Sequence, residues 1–170
     1  MKIYNLITEQ KIPVDISAAW EFFSSPHNLA LITPKEMGFI ITSDYSKQQK
    51  MYAGILIGYK ISPLAGIKVD WLTEITHVKD KEYFIDEQRF GPYALWHHQH
   101  HFVEIQGGII MKDVLSYAIP LGFIGRLAHK LFVKQKIREI FEYREKKIEE
   151  IFGKWPAQAT NVAGQIRTGE

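Results

Sequence analysis

The sequence predicts an α+β fold of the helix-grip kind, a curved antiparallel β-sheet wrapped around one long C-terminal α-helix, with two short helices after the first strand. Three observations carry this. Apolar residues recur with period two, in β-branched and aromatic runs, from Gly38 to Pro120; they recur at mostly helical spacing from Ile124 to Phe152; and one strand with two helix starts precedes both.

Ile3, Tyr4, Leu6, Ile7 and Ile12 form the opening strand, which Pro13 interrupts. Asp15 is placed to cap a short helix carrying Ala18, Ala19, Trp20, Phe22 and Phe23. Ser25-Pro26 restarts the chain as a second short helix, with Leu29, Leu31 and Ile32 on its apolar side and Thr33-Pro34 as its stop. Strands are expected at Phe39–Thr42, Met51–Ile61, Ile67–His77, Tyr83–Phe90, Leu95–Ile105 and Ile109–Ile119. Ile124, Leu127, Leu131, Ile137, Ile140, Phe141, Ile148, Ile151 and Phe152 then make the buried side of one amphipathic helix, ending at Gly153 and Pro156. One domain is expected over 1–153, and the polar run over 154–170 is expected to be a disordered tail.

Composition narrows the function. With 170 residues, 46% of them hydrophobic and 24% charged, the chain can bury a core unaided. The absence of cysteine removes disulfides, thiolate catalysis and every Cys-based metal centre. A net charge of +2 with the signs intermixed argues against a nucleic-acid partner. The first ten residues alternate apolar and polar instead of forming a signal peptide, and no stretch is apolar enough to span a bilayer, so a cytoplasmic location is expected.

Turn positions predict which side chains share a face, because residues opposite each other in an antiparallel pair point the same way. A two-residue turn at Lys79-Asp80 sets Phe84, Asp86 and Gln88 opposite Ile75, Thr73 and Trp71. The connection around Gly91–Tyr93 sets Phe84, Asp86, Gln88 and Phe90 opposite Phe102, His100, His98 and Trp96. A turn at Gln106-Gly107 or Gly107-Gly108 adds Asp113, Leu115 and Tyr117. The shared face is aromatic and the other carries Glu74, Glu87, Arg89, Gln99 and Lys112, so the first faces the helix. Asp86, Gln88, His98, His100 and Asp113 lie on it too, and such groups need hydrogen bonds, water or a ligand when buried.

Pro26-His27-Asn28-Leu29 with Ile32-Thr33-Pro34, Asp70-Trp71, the run Phe84–Tyr93 followed by Trp96–Phe102, Asp113 and Tyr117–Gly122 resemble an uncharacterised ligand-binding subfamily of the SRPBCC superfamily, which includes START lipid-binding domains, pollen-allergen-like proteins and polyketide cyclases. The resemblance covers roughly Met1 to Phe152. It implies a cavity between sheet and helix that takes a small hydrophobic or amphipathic molecule.

The residues expected at such a ligand are Trp71, Phe84, Trp96, Phe102 and Tyr117 for apolar contact and Asp86, Gln88, His98, His100 and Asp113 for its polar end. Strand alternation turns His97 and His101 outward. An alternative is a cyclase-, dehydratase- or hydrolase-like enzyme in which His98 or His100, tuned by Asp86 or Asp113, acts as general acid or base. His98 and His100 with a carboxylate also have the donor types of a two-histidine, one-carboxylate metal site, but His-x-His equally serves a polar core, and neither metal nor organic cofactor is expected. Trp20, Phe22 and Phe23 are read as a docking face that also offers a cavity rim. A further alternative is a peripheral membrane or protein contact at Leu121–Leu127, where apolar side chains, glycines and Arg126 are mixed. Neither the ligand's identity nor the oligomeric state follows from the sequence.

Overall fold

The computed structural model describes residues 1–46, 49–64 and 66–156. The chain runs β1 (Tyr4–Ile12), α1 (Ile16–Phe23), α2 (Pro26–Leu29), a 3-10 turn (Lys35–Met37), β2 (Ile40–Ile41), β3 (Leu56–Leu64), β4 (Ile67–Lys79), β5 (Tyr83–Phe90), β6 (Leu95–Ile105), β7 (Gly108–Ala118), α3 (Gly122–Ala128), a π turn (His129–Val133) and α4 (Lys134–Phe152). The seven strands form one antiparallel sheet in the order β1-β7-β6-β5-β4-β3-β2. This is the helix-grip architecture expected. Among the described residues no helix is long and apolar enough to cross a membrane.

Local chemistry sets most element ends. The Asp15 carboxylate accepts from the backbone N–H of Ser17 and Ala18, both at 3.0 Å, satisfying donors that the first turn of α1 leaves free. Pro26 opens α2, where its missing N–H costs nothing. The β6–β7 turn is Gln106-Gly107, with Gly107 at φ 87° supplying the left-handed backbone of a two-residue hairpin, and Ile105 pairs with Gly108. Strand β3 begins later than expected, because the chain turns at Ala53-Gly54 before joining β4. The stretch expected to be a disordered tail lies outside the described residues from 157 on; before that, Trp155 sits against the β6–β7 turn with Lys11 Nζ 5.8 Å from its ring.

Two registers differ from expectation. The β4–β5 turn spans Asp80–Glu82, with Lys81 at φ 61°, so Phe84 pairs with Val78, an odd shift that alone would turn β4 inside out. A bulge between Ile75 and His77 restores the phase, and Asp86 pairs with Ile75 and Gln88 with Thr73. Between β5 and β6 the shift is two residues, which changes partners but not faces: Phe84 lies opposite His100 and Asp86 opposite His98. Phe90 was expected inward and is 65% exposed, since a second β4 bulge pairs it with Leu72 at the strand end.

The core lies between the concave sheet face, α1, α2 and α4. One cluster includes Ile12, Ala19, Ile57, Ile75, Phe84, Phe102 and Ile148; the other joins Leu115 and Tyr117 to Val133, Ile137 and Phe141. Ile124, Leu127 and Leu131 were expected on the buried helix side and are exposed. The π turn, which holds Leu131 itself, re-phases the helix between Ile124 and Leu127 on one side and Ile137 on the other, so their stripe is not continuous with that of α4.

Candidate functional site

Strand alternation brings His98 and His100 of β6 to the concave face, Asp86 arrives beside them from β5, and Asp113 from β7. His98 Nε2–H donates to Asp113 Oδ1 at 3.0 Å, and His100 Nε2–H donates to Asp86 Oδ2 at 2.8 Å. The cross distances close the square: His98 Nδ1 stands 3.6 Å from Asp86 Oδ2, and His100 Nδ1 2.9 Å from Asp113 Oδ1. The second contact is close but not aligned as a hydrogen bond, since His100 Nδ1 is buried without a hydrogen-bond partner. Phe84 stacks on His100 with ring centroids 4.2 Å apart, and Phe141 of α4 lies 5.6 Å from His98.

Burial and pairing compete at each member. Burial pushes the Asp113 carboxyl up, but the close approach of His100, the hydrogen bond from His98 and the charges of both hold it well below the ordinary carboxylate range. Asp86 is lowered in the same way, its burial outweighed by the His100 hydrogen bond and the charges of His98, His100 and Arg144. At His100 burial pulls the pKa down, while the close Asp113 carboxylate, the hydrogen bond to Asp86 and the charge of both carry it above its ordinary value. At His98 burial and the neighbouring His100 charge win, and the pKa is lowered. The site thus favours protonation of His100 and disfavours that of His98.

Asp86, His98 and His100 of this quartet form the polar corner of a cavity of about 170 Å³ between sheet, short helices and long helix. Trp71, Phe84, Asp86, Trp96, His98 and His100, all expected at a ligand, line it. The other four expected residues do not. Asp113 stands behind the histidines and opens into a separate polar cleft with Gln10, Arg138, Glu142 and Glu145. Phe102 is filled in by Trp20, Phe23 and Phe84 as core. Gln88 clamps its own strand end, donating to Tyr93 O at 2.7 Å and accepting from Tyr93 N at 3.2 Å, with its side chain packed where a Cβ on Gly91 would stand. Tyr117 is held by His129, Oη to Nε2 at 2.9 Å, in the second core cluster.

Phe22 and Phe23 line the cavity, whereas Trp20 packs edge-on against Phe84 and Phe102. Residues not foreseen complete the wall: Ile57, Tyr59 and Ile61 of β3, Thr73 and Tyr93, and Lys136, Ile140 and Arg144 from the long helix. The β3 set follows period two, a readable signal. Arg144 had one as well: it lies in the buried stripe of Ile137, Phe141 and Ile148, where a cation is out of place. Its guanidinium lies 5.0 Å from the Phe141 ring, its Nε is buried without a hydrogen-bond partner, and it borders both the cavity and the polar cleft.

Chemically, the arrangement can hold a proton at His100, accept one at His98 Nδ1, or orient a polar group at Asp86. Asp86, His98 and His100 can each present one donor atom within 4.8 Å of the others.

No family model matches the sequence, and no curated protein matches it. Solved structures do. Ginseng major latex-like protein 151 from Panax ginseng is 14% identical over 88% of this chain and 97% of its own, with a TM-score of 0.63. A Thermus thermophilus protein is 18% identical over 86% and 95%, at 0.61. A Chromobacterium violaceum protein is 11% identical over 90% and 99%, at 0.65. At these identities the likeness is one of fold, and the fold shared is the helix grip.

Proposed function

We propose that the protein binds or carries a small hydrophobic or amphipathic molecule in the cavity, its apolar body against Trp71, Phe84 and Trp96 and its polar end at Asp86, His98 and His100. The observation that carries this reading is an apolar hollow whose wall contains a buried, mutually paired His–Asp group. Size narrows the ligand. A cavity of about 170 Å³ is close to the ~150 Å³ apolar cavity that accepts benzene. It therefore suits one aromatic ring or a short acyl segment, and a longer chain has to reach out past the helices. Native mass spectrometry after gentle extraction tests the reading: a retained small molecule, lost in Trp96→Ala, is expected. No retained species, and no binding across a library of small aromatic and acyl compounds, would overturn it.

A second reading concerns the helix surface. Leu121, Phe123, Ile124, Leu127, Leu131 and Phe132 are all exposed, Phe123 by 71%, beside Arg126, Lys130 and Lys134. Apolar side chains flanked by cations fit the surface of an anionic bilayer, which would set the helix against the source of a membrane-dissolved ligand. Flotation with phosphatidylcholine–phosphatidylserine vesicles is expected for the wild type and not for Phe123→Asp; equal flotation of both, or of neither, removes this surface.

A further inference from the structure

We propose that Asp86 Oδ2, His98 Nδ1 and His100 Nε2 are the protein ligands of a divalent first-row transition-metal ion, with Asp113 accepting a hydrogen bond from the other ring nitrogen of both histidines.

The distances fit a coordination polyhedron. Metal–nitrogen and metal–oxygen bonds of about 2.0–2.1 Å put neighbouring ligand atoms roughly 2.9 Å apart at right angles and roughly 3.4 Å apart in a tetrahedron. Asp86 Oδ2 lies 2.8 Å from His100 Nε2 and 3.6 Å from His98 Nδ1, bracketing both values. The three residues each offer one donor atom within 4.8 Å of the other two.

Asp113 supplies the second argument. A histidine ligand binds through one nitrogen and is oriented by donating from the other, commonly to a carboxylate. Here His98 Nε2 is 3.0 Å and His100 Nδ1 2.9 Å from the same Asp113 oxygen, and these are the two nitrogens that the assignment leaves for orientation. Without an ion the square is imperfect. His98 gives its Nε2–H to Asp113, so its Nδ1 lone pair points toward a carboxylate oxygen beyond hydrogen-bond reach, and His100 Nδ1 lacks an aligned partner. An ion between Asp86 and the two imidazoles replaces a lone-pair opposition with three bonds; it displaces the Nε2 proton of His100 to solvent and leaves the ring's remaining N–H at Nδ1, facing Asp113.

Two imidazoles and one carboxylate suit zinc or iron(II) better than magnesium or calcium. Because the three ligands border the cavity and Asp113 does not, the open coordination positions face the cavity, toward an anionic oxygen of whatever occupies it. The site stands whether or not an organic ligand binds.

The test strips the full-length protein with chelator, confirms folding by circular dichroism, adds excess Co²⁺ and removes the unbound ion by gel filtration. One Co²⁺ per chain with visible d–d absorption is expected. Asp86→Asn, a near-isosteric change, and His98→Ala should abolish that absorption, Asp113→Asn should weaken binding about 10–100-fold, and His97→Ala and His101→Ala should leave it unchanged. A folded wild type that retains no Co²⁺ overturns the site without recourse to variants; so does binding that survives Asp86→Asn and His98→Ala, or that disappears only with the outward histidines. None of these outcomes bears on the retained organic molecule sought by native mass spectrometry.

Discussion

Four histidines stand within five residues on β6, and their two sets meet opposite fates. His97 and His101 face outward in a half-exposed ladder: His97 Nδ1–H donates to Glu87 at 2.8 Å, Glu87 also accepts from Arg89 at 3.1 Å, and Gln99 bridges His97 and His101. His98 and His100, one residue away from each, are buried against two carboxylates drawn from neighbouring strands. The side-chain chemistry is the same and the face differs. On the outer face a lost partner is replaced by water, whereas on the inner face it leaves a charge stranded.

The sharpest way to break this contrast is to make the same substitution on both sides. His100→Phe removes the shared partner of Asp86 and Asp113 and is expected to lower the unfolding free energy by about 3–5 kcal/mol, the usual cost of breaking a buried ion pair. His101→Phe, on the outer face, should stay within about 0.5 kcal/mol. Urea denaturation of the two variants with unchanged m-values checks this; similar losses for both would mean that the inner quartet is as well solvated as the outer ladder.

That the two faces could be told apart in the sequence at all rests on parity, and parity tolerated errors of register. The β5–β6 pairing differs from expectation by two residues, which moves no side chain to the other face. The β4–β5 turn differs by an odd number, and only the bulge before His77 keeps Thr73 and Ile75 inside; no feature of the residues announced that bulge. What stayed illegible was depth along the sheet. Gln88, Phe102 and Tyr117 have the expected inward phase but sit where the strand end, α1 or His129 fills the space. Cavity walls depend on how far apart β3 and the long helix stand, and that separation is a property of packing, not of periodicity.

A third kind of histidine sharpens the comparison. His129 is 7% exposed, but it meets tyrosines and not carboxylates, stacked 3.5 Å from Tyr4 and bonded to Tyr117 Oη. Burial, followed by the charges of Lys134 and Lys2, lowers its pKa. The unfolded chain therefore takes the proton first: stability from this residue is complete above about pH 6.5 and is lost as pH falls toward the lower folded value. Denaturation midpoints at about pH 7.5 and about pH 5.5 should fall further in the wild type than in His129→Gln; an equal fall in both would show that His129 is solvated.

The smallest effect belongs to the outer ladder itself. Glu87→Gln keeps an acceptor for His97 and Arg89 but removes the charge that holds them, and Glu74 remains as a partner for Arg89. Half-exposed pairs of this kind contribute about 0.2–1 kcal/mol, and the neutral hydrogen bonds that persist place the expected loss near the lower end. The loss should shrink further in high salt, because screening acts on exposed charges and hardly on buried ones. Urea midpoints for Glu87→Gln and the wild type, taken with and without added salt, read this directly. A loss comparable to that of His100→Phe, insensitive to salt, would show that Glu87 works in a desolvated setting and that the two faces of β6 differ less than their exposure implies.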